Sequence, residues 1–119
     1  MHRLILFLVL VLPGIVWAEG SFDITDPDQV AALSELQEKL DAISALVTPC
    51  VASGKDHRAC MCESESLIID FNEAVNTLFE TYPALRTLDL VSFRRGDGMT
   101  ASQSLSGIRN QAAMDLACP

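Results

Sequence analysis

The chain has 119 residues, 50% of them hydrophobic and 20% charged, with 16 acidic side chains against 8 basic ones and a formal net charge of -8. That length holds one domain at most. The acidity argues against a nucleic-acid partner, because phosphate binding rests on clustered positive charge; a basic protein, a cation or plain solubility suits it better.

Residues 1–18 read MHRLILFLVLVLPGIVWA: a short basic start at His2 and Arg3, an apolar run from Leu4 to Val16 broken at Pro13-Gly14, and a small-residue end at Val16-Trp17-Ala18. This is the layout of a secretory signal peptide. The apolar run falls short of the roughly 20 residues that span a bilayer. Position 19 is Glu, so a lipid anchor on a cysteine after the cut is not supported. The expectation is an exported protein, periplasmic in a bacterium or extracellular, and off the membrane once the leader is removed. Taking 18 residues from 119 leaves 101, with 7 basic and 16 acidic side chains. A domain of that size buries roughly 65% of its unfolded surface, so cross-links would be useful, and an oxidising compartment lets four cysteines supply them.

Residues 19–25 have no periodicity and read as a flexible lead-in to a single helical domain over residues 26–119. Asp26-Pro27-Asp28-Gln29 then combines a capping side chain, proline at the first helical position and a glutamine able to reach back to the cap's amide. The first helix has a core face of Val30, Leu33, Leu36, Leu40, Ile43 and Val47, with Glu35 and Lys39 one turn apart on the other side. Pro49 is expected to end it. The seam lasts about two and a half heptads, so packing within a bundle is favoured over a coiled-coil dimer.

A loop with Gly54 at its turn leads to a second helix expected over residues 62–82. Its apolar side is Leu67, Ile68, Phe71, Val75, Leu78, Phe79 and Tyr82, and its polar side carries Glu63, Ser66, Asp70, Glu73, Thr77 and Glu80. Pro83 ends this helix. Residues 84–95 read as a turn followed by an irregular connector, since Leu88, Leu90, Val91 and Phe93 suit extended chain with a switch of face. Gly96-Asp97-Gly98 is a flexible loop. A third helix is expected from Thr100 or Ser102 to Ala117, with Leu105, Ile108, Ala112 and Leu116 on its inner side. The fold class predicted is all-α: a small three- to four-helix up-down bundle stapled at one pole by two disulfides.

In such a bundle the end of the first helix, the start of the second and the end of the third lie together. Those are the positions of Cys50, of Cys60 and Cys62, and of Cys118. Of the three pairings that four cysteines allow, Cys60 with Cys62 is the least favoured, because one intervening residue makes a strained ring. The other two stay open.

Three functional readings follow. In the first, the chain acts by protein binding, as an interaction or inhibitor module, and offers an acidic face at Asp70, Glu73 and Glu80 to another, basic protein. Residues 19–82 carry 3 basic and 13 acidic side chains, whereas residues 83–119 carry 4 and 3. Arg86, Arg94, Arg95 and Arg109 are the cations of that second part, and their pairing with the acidic helices is the plainer account of the asymmetry. In format the chain is similar to small secreted helical proteins that bind or inhibit another protein, periplasmic immunity proteins among them. The second reading is a metal-binding or thiol-redox module. His57, Cys60, Met61 and Cys62 put an imidazole, two thiols and a thioether within six residues, a soft ligand set for copper(I) or zinc. Set against it, the spacing lacks a second CxxC or paired histidines, and thiols in an oxidising compartment form disulfides. The third is a small hydrolase using Asp70 and Glu73, which requires those carboxylates to line a pocket. No GxSxG, HExxH, GxGxxG or Walker-type motif is present. The expectation is a binding protein without catalysis and without a cofactor.

Overall fold

The structure, a computed structural model, describes residues 21–119. The leader expected over residues 1–18 lies outside the described residues. Among the described residues the element order is β1 (Phe22–Asp23), α1 (Pro27–Ala52), α2 (His57–Glu63), α3 (Glu65–Thr81), a 3-10 turn (Pro83–Thr87), β2 (Leu90–Arg94), β3 (Thr100–Ser104) and α4 (Leu105–Ala113). The expected all-α bundle is thus corrected to a mostly helical fold that also holds a small three-stranded sheet.

α1 begins as its sequence dictates. The Asp26 side chain accepts from the Gln29 amide at 3.1 Å, and Pro27 occupies the first turn, where its missing N–H is no loss. Its end differs from expectation: Pro49 lies inside the helix, which continues to Ala52. Proline has no N–H for the carbonyl four residues back and its ring crowds that carbonyl, but the residue concerned, Ala45, is exposed, so water is available to the freed acceptor. Leu33 and Leu36 are fully buried, with Val30, Leu40 and Ile43 packed at the margin of the core. Beyond Ile43 the helix has little to bury: Leu46 is 55% exposed.

The second expected helix is two. α2 is capped by Asp56, whose side chain accepts from the Ala59 amide at 3.2 Å. It ends at Ser64, a buried residue at φ -112 and ψ 27, from which α3 starts afresh. α3 buries Ile68, Phe71, Val75, Leu78 and Phe79, the stripe that its spacing predicts, while Leu67 stays exposed.

Residues 84–95, expected to be irregular after one turn, form the 3-10 turn and the central strand. Val91 and Phe93 are both fully buried and alternate with Leu90, Ser92 and Arg94. β3 is the larger departure, because residues 100–104 were expected to open a helix. In β3 the inward positions are Ala101 and Gln103, opposite Phe93 and Val91. Gln103 is buried and donates through Nε2 to Gln37 Oε1 of α1 at 2.9 Å. Gly98, at φ +86, makes the hairpin turn between β2 and β3. On the far side of β2, residues 22 and 23 of the expected flexible lead-in pair in parallel with Val91 and Ser92, and Ile24 is buried. α4 starts at Leu105 and stops at Ala113, short of the expected Ala117, with Ser104 as its cap. One core unites these elements: Ile24, Leu33, Leu36, Phe71, Val75, Leu78, Phe79, Leu85, Val91, Phe93, Leu105 and Ile108.

Candidate functional site

Two places on the described surface combine shape with chemistry: a groove between α1 and α3, and the disulfide pole. The groove, about 450 Å³, has Ala32, Leu36, Ala74 and Leu78 for its floor. Glu35 and Lys39 of α1 line one wall, Asp70, Glu73, Thr77 and Thr81 of α3 the other, and Tyr82 closes one end. Helical geometry explains the assembly, since positions three and four apart share a face and the two polar stripes meet where the apolar stripes pack. The alanines keep the floor low.

Asp70 and Glu73 therefore stand together in one groove, and Glu80, exposed further along α3, does not line it. Lys39 was expected to sit beside Glu35 on the wet side of α1. It reaches across instead, its Nζ 2.6 Å from Asp70 Oδ2. That bond, with the nearby Asp70 and Glu35 charges, raises the Lys39 ammonium above its ordinary pKa. Chemically the groove presents three carboxylates and one ammonium over an apolar floor. Asp70 is taken up by Lys39, and no histidine or cysteine lines the groove to act with the acids.

At the pole, disulfides join Cys50 to Cys60 and Cys62 to Cys118. Cys60 and Cys62 are two residues apart on a helix, so they project to nearly opposite sides of α2, one toward the end of α1 and one toward the chain's last residues. Among the described residues no cysteine is free. The ligand set His57, Cys60, Met61 and Cys62 is therefore broken up: its two sulfur anions are consumed in disulfides. Nor does any group of three His, Cys, Asp or Glu side chains suited to a metal occur among the described residues. What remains of the set, His57 and Met61, lines a cavity of about 150 Å³ together with Arg58, Ile68, Asn72, Gln111, Met114, Asp115 and Leu116. Arg58 fixes one wall by donating to the Leu116 carbonyl at 2.8 Å. Met114 was not singled out in the sequence, because its place beside α2 follows from contacts far apart along the chain, the Cys62–Cys118 link and the Arg58 bond to the Leu116 carbonyl.

The arginines of the second half do little of the pairing assigned to them. Arg95 lies 3.6 Å from Asp41, but Arg86 and Arg109 sit over the Phe79 ring at 5.8 and 5.1 Å. Glu35 and Glu73 have no ion-pair partner among the described residues. The acidic face thus remains largely uncompensated.

No protein-family model, curated protein or solved structure matches the chain. Two disulfides fit an oxidising environment, and among the described residues no helix is long and apolar enough to cross a membrane.

Proposed function

We propose that this is an exported binding module whose α1–α3 groove captures a basic, amphipathic segment of another protein. The observation that carries the reading is the groove itself, an apolar floor of Ala32, Leu36, Ala74 and Leu78 flanked by Glu35, Asp70 and Glu73, with Lys39 already bound to Asp70. A helix with small apolar residues on one side and Lys or Arg beside them is complementary in both shape and charge. Unpaired rim carboxylates steer such a partner and set its register; the floor supplies the buried area.

The test uses the disulfide-bonded protein, isotopically labelled, titrated with a synthetic helical peptide that bears leucine and alanine on one face and lysine on the flanks. Chemical-shift changes are expected to concentrate on α1 and α3 around the groove and to weaken as salt is raised. Glu35→Lys with Glu73→Lys is expected to reduce affinity by roughly tenfold or more, since each reversal replaces a favourable rim contact by a repulsive one. Shifts centred elsewhere, or affinity unchanged by the double reversal, overturn the proposal.

A further inference from the structure

We propose that His57, Met61 and Met114 form a binding site for a soft monovalent metal ion, copper(I) or its analogue silver(I), at the disulfide pole. This site is separate from the groove. His57 and Met61 are four residues apart in α2 and so share a face, with β-carbons roughly 5 to 6 Å apart. Met114 comes from the cap position of α4, 53 residues further on, yet lines the same cavity of about 150 Å³. The three side chains thus border one small space, and the flexible thioether side chains are suited to turning their sulfurs toward an ion held there.

The donor set decides the metal. Two thioethers and an imidazole are soft, uncharged ligands, which suit copper(I) and bind calcium, magnesium or manganese poorly. The disulfides have removed the thiolates that would otherwise compete for the ion, and thioethers survive in an oxidising compartment where thiols pair off. A second observation points to the same cavity: Asn72 Oδ1, which lines it, is buried with no hydrogen-bond partner. A ligating imidazole normally donates its other ring N–H to such an acceptor, which fixes its tautomer and orientation. The wall carrying Met114 is held in place twice, by Cys62–Cys118 and by Arg58 on the Leu116 carbonyl. Access is open, because Met114 is 62% exposed.

The experiment is an anaerobic titration of the intact, disulfide-bonded protein with copper(I) against a competing chromophoric chelator, repeated with silver(I). Mass measurement under non-reducing conditions verifies that both disulfides persist. One equivalent is expected to bind, Met61→Leu with Met114→Leu to weaken binding at least tenfold, and His57→Ala to do the same, all with unchanged far-UV circular dichroism. Met99→Leu, on the exposed β2–β3 hairpin, is expected to leave affinity as it was. Absence of stoichiometric binding, or binding retained in the double methionine variant, overturns the proposal. So does zinc(II) binding that survives loss of both methionines but not Asp115→Asn, which would make the cavity a hard carboxylate site.

Discussion

Asp89 shows how much local order one side chain can hold. Its Oδ1 accepts from the Ser106 hydroxyl at 2.6 Å, the Ser104 hydroxyl at 3.0 Å and the Ser106 amide at 3.3 Å, while its carbonyl accepts from the Leu105 amide. The same Ser104 hydroxyl accepts from the Gly107 amide, so the start of β2 and the cap of α4 are one hydrogen-bonded unit. Those bonds, led by Ser106, hold the Asp89 carboxyl below its ordinary pKa. A depressed folded pKa means that the unfolded chain takes up the proton more readily. The contribution of Asp89 to stability is therefore complete above the ordinary carboxylate range and is lost as pH falls through the lowered value. Melting temperatures measured between about pH 6 and pH 2 are expected to fall less steeply in Asp89→Asn than in the parent, from a lower starting value at pH 6. At this scale the sequence was partly legible. The Asp26 cap of α1 could be read directly, because a cap is a matter of three or four neighbouring residues. The Ser104 cap is just as local, its hydroxyl accepting from the Gly107 amide, but Thr100 and Ser102 offer the same chemistry earlier, and only the pairing of residues 100–104 with β2 moves the helix start past them. Gln103 misled in another way: a polar residue at an inward strand position breaks the apolar alternation, and its bond to Gln37 of α1 satisfies the Nε2 end of the buried amide while Oε1 has no partner among the described residues.

Among the elements, α1, α3, α4 and the turn after Pro83 match their expected kind, and the three strands and the separate short helix α2 do not. α1 and α3 satisfy most of their own hydrogen bonds and announce themselves by spacing. β2 pairs with β3 over five residues and with only two residues of β1, so its identity depends on contacts that a local window cannot see. The break at Ser64 leaves the stripe of α3 intact and so gives no sign in the periodicity. Pro49 marks the opposite error, a breaker that does not break. It sits one turn from the end of α1, where the cost of proline is well below the roughly 3 kcal/mol of a helix centre. Pro49→Ala restores an amide able to reach the Ala45 carbonyl and is expected to stabilise by roughly 1 kcal/mol, seen as a melting temperature higher by about 4 to 8 °C. Thermal unfolding by circular dichroism checks this; an unchanged or lower midpoint would mean that the ring's packing next to Cys50 outweighs the regained bond.

For the whole molecule, the convergence of Cys50, Cys60, Cys62 and Cys118 could be anticipated from helix order, although the fold that produces it is not the all-α bundle from which it was argued. What could not be anticipated was the pairing, since it depends on which side of α2 each sulfur faces, and on a tail that leaves the helix at Met114 to reach Cys62. The groove was half legible: Asp70 and Glu73 share a stripe in sequence, but the wall opposite them, with Lys39, belongs to another helix. In the chain-entropy account the 10-residue and 56-residue separations give stabilisations of about 3 and about 4 kcal/mol, a large share of what a domain this small possesses. The links also overlap the chain in a particular way. Cutting the backbone between residues 50 and 60, or between 62 and 118, leaves the two pieces joined; between the first and last cysteines, only the peptide bonds on either side of Met61 lie outside both loops. A trypsin nick at Arg94 or Arg95 of the β2–β3 hairpin is therefore expected to leave one covalent molecule on a non-reducing gel and two fragments on a reducing one. From Cys50 to Cys118, apart from the two bonds at Met61, this protein can lose a peptide bond and remain a single molecule, whereas a cut in β1 or in α1 ahead of Cys50 sets the preceding piece free.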